Sequence, residues 1–172
     1  MITLKEPEYG DYTSLYEARF QPEVVYWADD EDPLLTMHEY ADSRLASMQD
    51  GSILERIILL NGYPIGTVTA RDYIKKTAQC TLGIVIVEPK YWGHGYGTEA
   101  MRQFLRLLAE LGIQIVILDT YASNKRALHC FRSLGFEKHR VYFASIPGRF
   151  VVQMVHRLNR RPKRITHSSA SQ

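Results

Sequence analysis

The run Val87-Glu88-Pro89-Lys90-Tyr91-Trp92-Gly93-His94-Gly95-Tyr96-Gly97-Thr98-Glu99-Ala100 joins two segments of different periodicity. Before it, Cys80-Thr81-Leu82-Gly83-Ile84-Val85-Ile86-Val87 is rich in β-branched residues and stops at Pro89, which predicts a strand over 78–87. After it, Met101, Phe104, Leu105, Leu108 and Leu111 recur at helical spacing, which predicts a helix over 98–111 that Gly112 terminates. A glycine loop between a strand and a helix start is a natural anion cradle. Glycines carry no Cβ, so successive N–H groups can converge on a phosphate, and the helix N-terminus adds partial positive charge. The dinucleotide fingerprint would put its third glycine at Thr98, and no Gly-Lys-Ser/Thr follows, so NAD chemistry and nucleotide hydrolysis are disfavoured.

Working outward, Leu4 begins a short extended segment that Pro7 breaks, and helices are predicted over 12–19 and 34–48, the second from the spacing of Leu35, His38, Ala41, Leu45 and Met48. Residues 52–60 and 63–74 read as a hairpin around Asn61-Gly62, and Lys75-Lys76 turns the chain into the strand before the loop. Downstream, 113–118 is a short apolar run that suits a strand buried on both faces. Asn124 can cap a helix carrying Ala127, Leu128, Phe131 and Leu134 inward, and Gly135 stops it. Strands over 137–145 and 150–157 close the pattern. The fold class is α/β, an α+β mixed and mostly antiparallel sheet with helices on both faces.

The 172 residues, 45% hydrophobic and 23% charged, make one soluble domain over 1–158 and a basic, polar, disordered tail over 159–172. No apolar run approaches a membrane span, and the N-terminus lacks a signal peptide, so the expected compartment is the cytoplasm, with no membrane partner. The net charge of +2 is uneven: residues 157–172 hold Arg157, Arg160, Arg161, Lys163 and Arg164, and without those five, 16 basic residues face 19 acidic ones. One short basic cluster on an acidic body argues against nucleic acid as a partner. Asp29-Asp30-Glu31-Asp32 is the opposite run, and could attract a cationic ligand. Cys80 and Cys130 are too few for a disulfide framework and read as reduced thiols, and His38, His94, His129, His139, His156 and His167 form no metal-ligand pattern.

The stretch 87–100 closely resembles the acetyl-CoA loop of the GNAT N-acetyltransferases. Asn124-Lys125-Arg126-Ala127-Leu128-His129-Cys130-Phe131-Arg132-Ser133-Leu134-Gly135-Phe136 resembles that superfamily's second motif. The wording of the first motif looks most like the branch of ribosomal-protein alanine acetyltransferases and their small-molecule relatives. The resemblance implies the GNAT fold, acetyl-CoA as cosubstrate without a metal, and transfer of acetyl to a primary amine, either a protein N-terminus or a small molecule. It is compatible with a homodimer. Val85, Ile86 and Val87 would offer backbone groups to the pantetheine arm, with the Val87 amide as donor to the thioester carbonyl. Amides of Gly93, His94, Gly95, Tyr96, Gly97 and Thr98 would hold the pyrophosphate, and Asn124 and Phe131 would border the cofactor.

The chain departs from the family pattern at informative places. Trp92 stands where Gln or Arg is usual, Phe131 where a Tyr often protonates the leaving thiolate, and Thr81 where some members keep a catalytic Glu. A phenyl ring donates no proton, so the general acid and base are unassigned, with Asp72, Glu55, Glu88, Tyr142 and His129 on suitable elements. Direct attack in a ternary complex needs no cysteine, and a CoA thiolate can leave without a dedicated acid. The rival reading is a catalytically reduced acyl-CoA-binding or regulatory module.

Overall fold

A computed structural model describes residues 1–27, 35–144 and 148–158. The acidic run 29–32, residues 145–147 and the tail 159–172 lie outside the described residues. Seven strands form one sheet in the order β1-β2-β3-β4-β5-β7-β6. They are β1 Ile2–Lys5, β2 Ile53–Leu60, β3 Tyr63–Ile74, β4 Gln79–Ile86, β5 Ile115–Tyr121, β6 Glu137–Phe143 and β7 Phe150–Arg157. Every neighbouring pair is antiparallel except β4 and β5. The Asn61-Gly62 turn takes positive φ at both positions, 52° and 89°, as a two-residue hairpin with the right twist requires.

Among the described residues, five α-helices cover the sheet: α1 Tyr9–Tyr16, α2 Pro22–Trp27, α3 Met37–Gln49, α4 Tyr96–Glu110 and α5 Lys125–Ser133. Ile57 and Ile58 are adjacent on β2 and both fully buried. Successive strand residues point to opposite faces, so both faces of the sheet are covered there. Ile58 joins the main core with Met101, Phe104 and Leu108 of α4 and Leu128 and Phe131 of α5. Ile57 packs instead with Leu15 of α1 and with Val87. Leu111, expected on the inward face of α4, is exposed.

The N-terminal helices differ most from expectation. The first begins at Tyr9, because Glu8 and Asp11 form a reciprocal capping box, and it ends before a 3₁₀ turn over Ala18–Phe20. The short α2 then stands where a loop was expected. The next helix starts at Met37 because Thr36 and Glu39 cap each other: Glu39 N–H donates to Thr36 Oγ1 at 3.3 Å and Thr36 N–H to Glu39 Oε2 at 2.8 Å. Of its expected inward residues Ala41 is buried and His38 is exposed.

Beneath these helices lies a polar knot. Glu55 is fully buried on β2, accepts from Tyr12 Oη at 2.7 Å and Thr69 Oγ1 at 2.6 Å, and is ion-paired with Arg44 of α3. Burial and the Glu55 charge push the Tyr12 hydroxyl far above its ordinary pKa, so it stays a neutral donor. Among the described residues, no helix is long and apolar enough to cross a membrane.

Candidate active site

β4 and β5 run parallel through Gln79–Thr81 and Ile115–Ile117, and pairing then stops although both strands continue. Their divergence opens a cleft of about 640 Å³. One wall is β4 from Thr81 to Ile86, the other is β5 from Leu118 to Tyr121. The glycine loop with the start of α4 lines one part of it, α5 another, and Val24 and Trp27 of α2 a third. The volume suits a small organic ligand.

The loop descends from β4 through a 3₁₀ turn, Pro89–Tyr91. Gly93 and Gly95 take φ of +78° and +79°, the left-handed region that side chains resist, with open space where a Cβ would sit. Gly95 is the N-cap of α4, and no side chain caps that helix. The first intrahelical bond runs from Glu99 N–H to Gly95 O, so the amides of Tyr96, Gly97 and Thr98 have no carbonyl partner within the helix. By contrast, Thr36 caps α3, and Asn124 Oδ1 caps α5 by accepting from Ala127 N–H at 3.1 Å. Tyr96, Gly97 and Thr98 line the cleft, and an uncapped helix N-terminus is a position that favours an anion.

The strand edge departs from expectation. Val87 N–H donates to Ile65 O at 3.0 Å, so the amide expected to meet a thioester is committed to β3. Ala78 O, an odd number of residues away, accepts from Ile115 N–H on the β5 side. Alternate residues of a strand direct their polar groups to opposite edges, so Val85 also turns to β3, while Ile84 and Ile86 turn to the gap. Ile86 O accordingly accepts from Trp92 Nε1 at 2.8 Å, which ties the loop to the strand end. Trp92 thus fills its unusual position as a strut.

Of the remaining expected residues, His94 stacks on Tyr96 with ring centroids 5.5 Å apart, and the Thr98 hydroxyl donates to Cys130 Sγ at 3.1 Å. Asn124 is buried at the cleft and acts as a cap. Phe131 is buried, lines the cleft and sits 6.0 Å from Phe136. Burial raises the Cys130 thiol above its ordinary pKa, and pushes Cys80 up to about 11, so neither is a thiolate at neutral pH.

The acid and base candidates divide. Tyr142 and His129 line the cleft. Glu55 does not, being enclosed by Tyr12, Thr69 and Arg44, Glu88 pairs with Lys90, and Asp72 lies 3.6 Å from Arg71 on the exposed end of β3. Sequence reading overlooked Asp119, the one carboxylate among the described lining residues. Its signal was present: it is the single charge in the β5 sequence Ile115-Val116-Ile117-Leu118-Asp119-Thr120-Tyr121. Also overlooked was Arg149, whose guanidinium lies 4.1 Å from the Tyr26 ring and 4.0 Å from the Tyr121 ring and donates to Tyr26 O at 3.0 Å, linking α2 to β5 beside the cleft.

Comparison with known proteins agrees with this architecture. The aminoglycoside N(6')-acetyltransferase type 1 of Klebsiella pneumoniae is 27% identical over 151 residues, covering 80% of this chain and 74% of that protein. A Vibrio cholerae spermidine N-acetyltransferase, solved with CoA and spermine, superposes with a TM-score of 0.80 at 17% identity over 91% of this chain and 95% of that one. An aminoglycoside acetyltransferase solved with ribostamycin and coenzyme A gives a TM-score of 0.75 at 24% identity over 98% and 99%. The acetyltransferase (GNAT) domain model matches residues 2–137, most of the chain, and with the diverging β4 and β5 in place the protein belongs to the GNAT acetyltransferase family.

Proposed function

We propose that this chain moves an acetyl group from acetyl-CoA to a primary amine of a small, basic molecule by direct attack in a ternary complex. The observation that carries this reading is the uncapped start of α4 opening on the cleft between β4 and β5. The free amides of Tyr96, Gly97 and Thr98, with the left-handed Gly93 and Gly95 giving close approach, hold the pyrophosphate. Asn124 borders the cofactor through its amide group while its Oδ1 caps α5. Ile84 and Ile86 present N–H groups to the gap, and these stabilise the oxyanion as the neutral amine nitrogen bonds to the carbonyl carbon. The oxyanion then collapses, the C–S bond breaks, and the CoA thiolate leaves and takes up the proton that the amine nitrogen loses. Acetyl-CoA supplies the activated acyl group, and the Cys130 thiol, protonated at neutral pH, takes no covalent part.

Acetyl-CoA use is read directly by free-thiol release across a panel of amines. Turnover with polyamines or aminoglycosides supports the reading, and binding of CoA without turnover on any amine returns the binding-module alternative. A peptide N-terminus, which the likeness to ribosomal-protein alanine acetyltransferases suggests, belongs in the same panel. The named relatives that act on aminoglycosides and spermidine favour the small-molecule class. One soluble domain over 1–158, followed by a basic, polar tail over 159–172 and working in the cytoplasm, is part of this proposal.

Asp119 is the group proposed to take the acceptor's ammonium. A charge-assisted hydrogen bond contributes roughly 1.5–3 kcal/mol, so Asp119→Asn is expected to raise the acceptor KM by roughly ten- to a hundredfold while the CoA Kd stays put. An equal change in both constants would assign Asp119 to general packing. Phe131→Leu should cost less than about tenfold in kcat, because a buried ring packed near Phe136 supplies no proton. A thousandfold fall with CoA affinity intact would make the ring a positioning element of the chemistry.

A further inference from the structure

The geometry points to Arg126 as the cation that neutralises the cofactor's pyrophosphate, carried on the face of Trp92 in place of the Gln or Arg missing from the loop. This rests on the acetyl-CoA reading above and adds a residue to it. The Arg126 guanidinium lies 4.0 Å from the Trp92 ring, a cation–π distance, and both residues line the cleft. Trp92 is itself fixed through its indole N–H to Ile86 O, at the point where β4 ends and the glycine loop begins. The stacked cation is therefore held beside the loop that receives the phosphates.

Three further observations give the position a purpose. Arg126 lies in the first turn of α5, where Asn124 is the N-cap and no acidic residue is present. A cation there opposes the helix dipole, and local rules are broken in this way chiefly at functional positions. Arg126 is exposed, and the partial loss of hydration that lowers its pKa has no offsetting carboxylate beside it, so the guanidinium is open to an anionic ligand. The other arginine lining the cleft, Arg71, sits elsewhere: it is opposite Thr81 on β3, and its Nη1 comes within 3.9 Å of where a Cβ on Gly83 would be, midway along β4 and away from the loop. Arg126 is thus the one Lys or Arg among the described lining residues on the loop side. A planar guanidinium can meet two phosphate oxygens at once while still stacked.

The test is calorimetric titration of CoA and of 3′-dephospho-CoA into the full chain and into Arg126→Gln, Trp92→Leu and Lys125→Gln, with the ligand-free melting temperature recorded for each. Arg126→Gln should weaken both ligands by the same factor, about tenfold or more, and the loss should shrink as salt rises. Trp92→Leu, which removes the shelf, should weaken CoA in the same direction, whereas Lys125→Gln, outside the cleft lining, should change it less than about twofold. A loss seen with CoA and absent with 3′-dephospho-CoA would move Arg126 to the 3′-phosphate and overturn the assignment. Equal losses in Arg126→Gln and Lys125→Gln would reduce it to general surface charge and overturn it too. Failure of the unmodified chain to bind CoA is a different result, and sinks the acetyl-CoA reading itself.

Discussion

Gly95→Glu is expected to abolish nearly all the rise in melting temperature that CoA produces. For the unmodified chain, CoA at a hundred times its Kd adds about 2.7 kcal/mol of stability, which for this size of chain is roughly 5–10 °C. The substitution sets a carboxylate among the unpartnered amides of Tyr96, Gly97 and Thr98, where the pyrophosphate is proposed to lie. A like charge and added bulk there should weaken CoA by about a hundredfold or more. At the same ligand concentration the gain then falls to about 0.4 kcal/mol, roughly 1 °C. Because Gly95 has φ +79°, any side chain also strains the backbone, by about 1–2 kcal/mol. Gly95→Ala separates the two effects: it carries the strain without the charge, so it should melt lower without ligand yet keep most of the CoA-induced rise. Should Gly95→Glu retain the full rise, the uncapped helix start does not bind the cofactor.

The strand, glycine loop and helices proposed to hold the cofactor were legible as elements because their signals are local. The Asn61-Gly62 turn, the change from strand to helix periodicity across 87–100 and the Asn124 cap each occupy a few consecutive residues. The sheet's mixed character could also be read, since a helix between two apolar runs calls for a parallel pair. What could not be read was the parity of β4. Whether Val87 or Ile86 turns its amide to the gap depends on register against β3, a pairing distant in sequence, and the bond from Val87 N–H to Ile65 O decides it. The side proposed for the acceptor was less legible still. Its α2 is six residues long, too short to show a periodicity. Asp119, Tyr121 and Trp27 line one cleft, with Arg149 over the Tyr121 ring, only because β5, α2 and the residue before β7 converge in space. The starts of α1 and α3 were displaced for a simpler reason, since the capping pairs Glu8–Asp11 and Thr36–Glu39 were in the sequence and apolar spacing was followed instead.

Arg44→Met is expected to destabilise the fold by about 3–5 kcal/mol, a fall of roughly 6–20 °C in melting temperature, while the CoA-induced rise persists. Glu55 is fully buried and takes its hydrogen bonds from Tyr12, Thr69 and Arg44, so it links β2 to α1, β3 and α3. Removing the guanidinium leaves a carboxylate out of water with two hydroxyl donors and no countercharge, and that desolvation is what makes the loss large. Adding Glu55→Gln removes the second charge. The amide can still accept from one hydroxyl and donate to the other, so the double variant should recover most of the stability that Arg44→Met loses. Recovery would mean that the knot is costly to break and of small net value when intact, and that Glu55 is a structural carboxylate. If Glu55→Gln alone melted normally but lost turnover, with CoA binding unchanged, Glu55 would have to reach the acceptor after all. A double variant as unstable as Arg44→Met would instead trace the loss to the packing of the Arg44 stem against α1, because the uncompensated charge would no longer be there to blame.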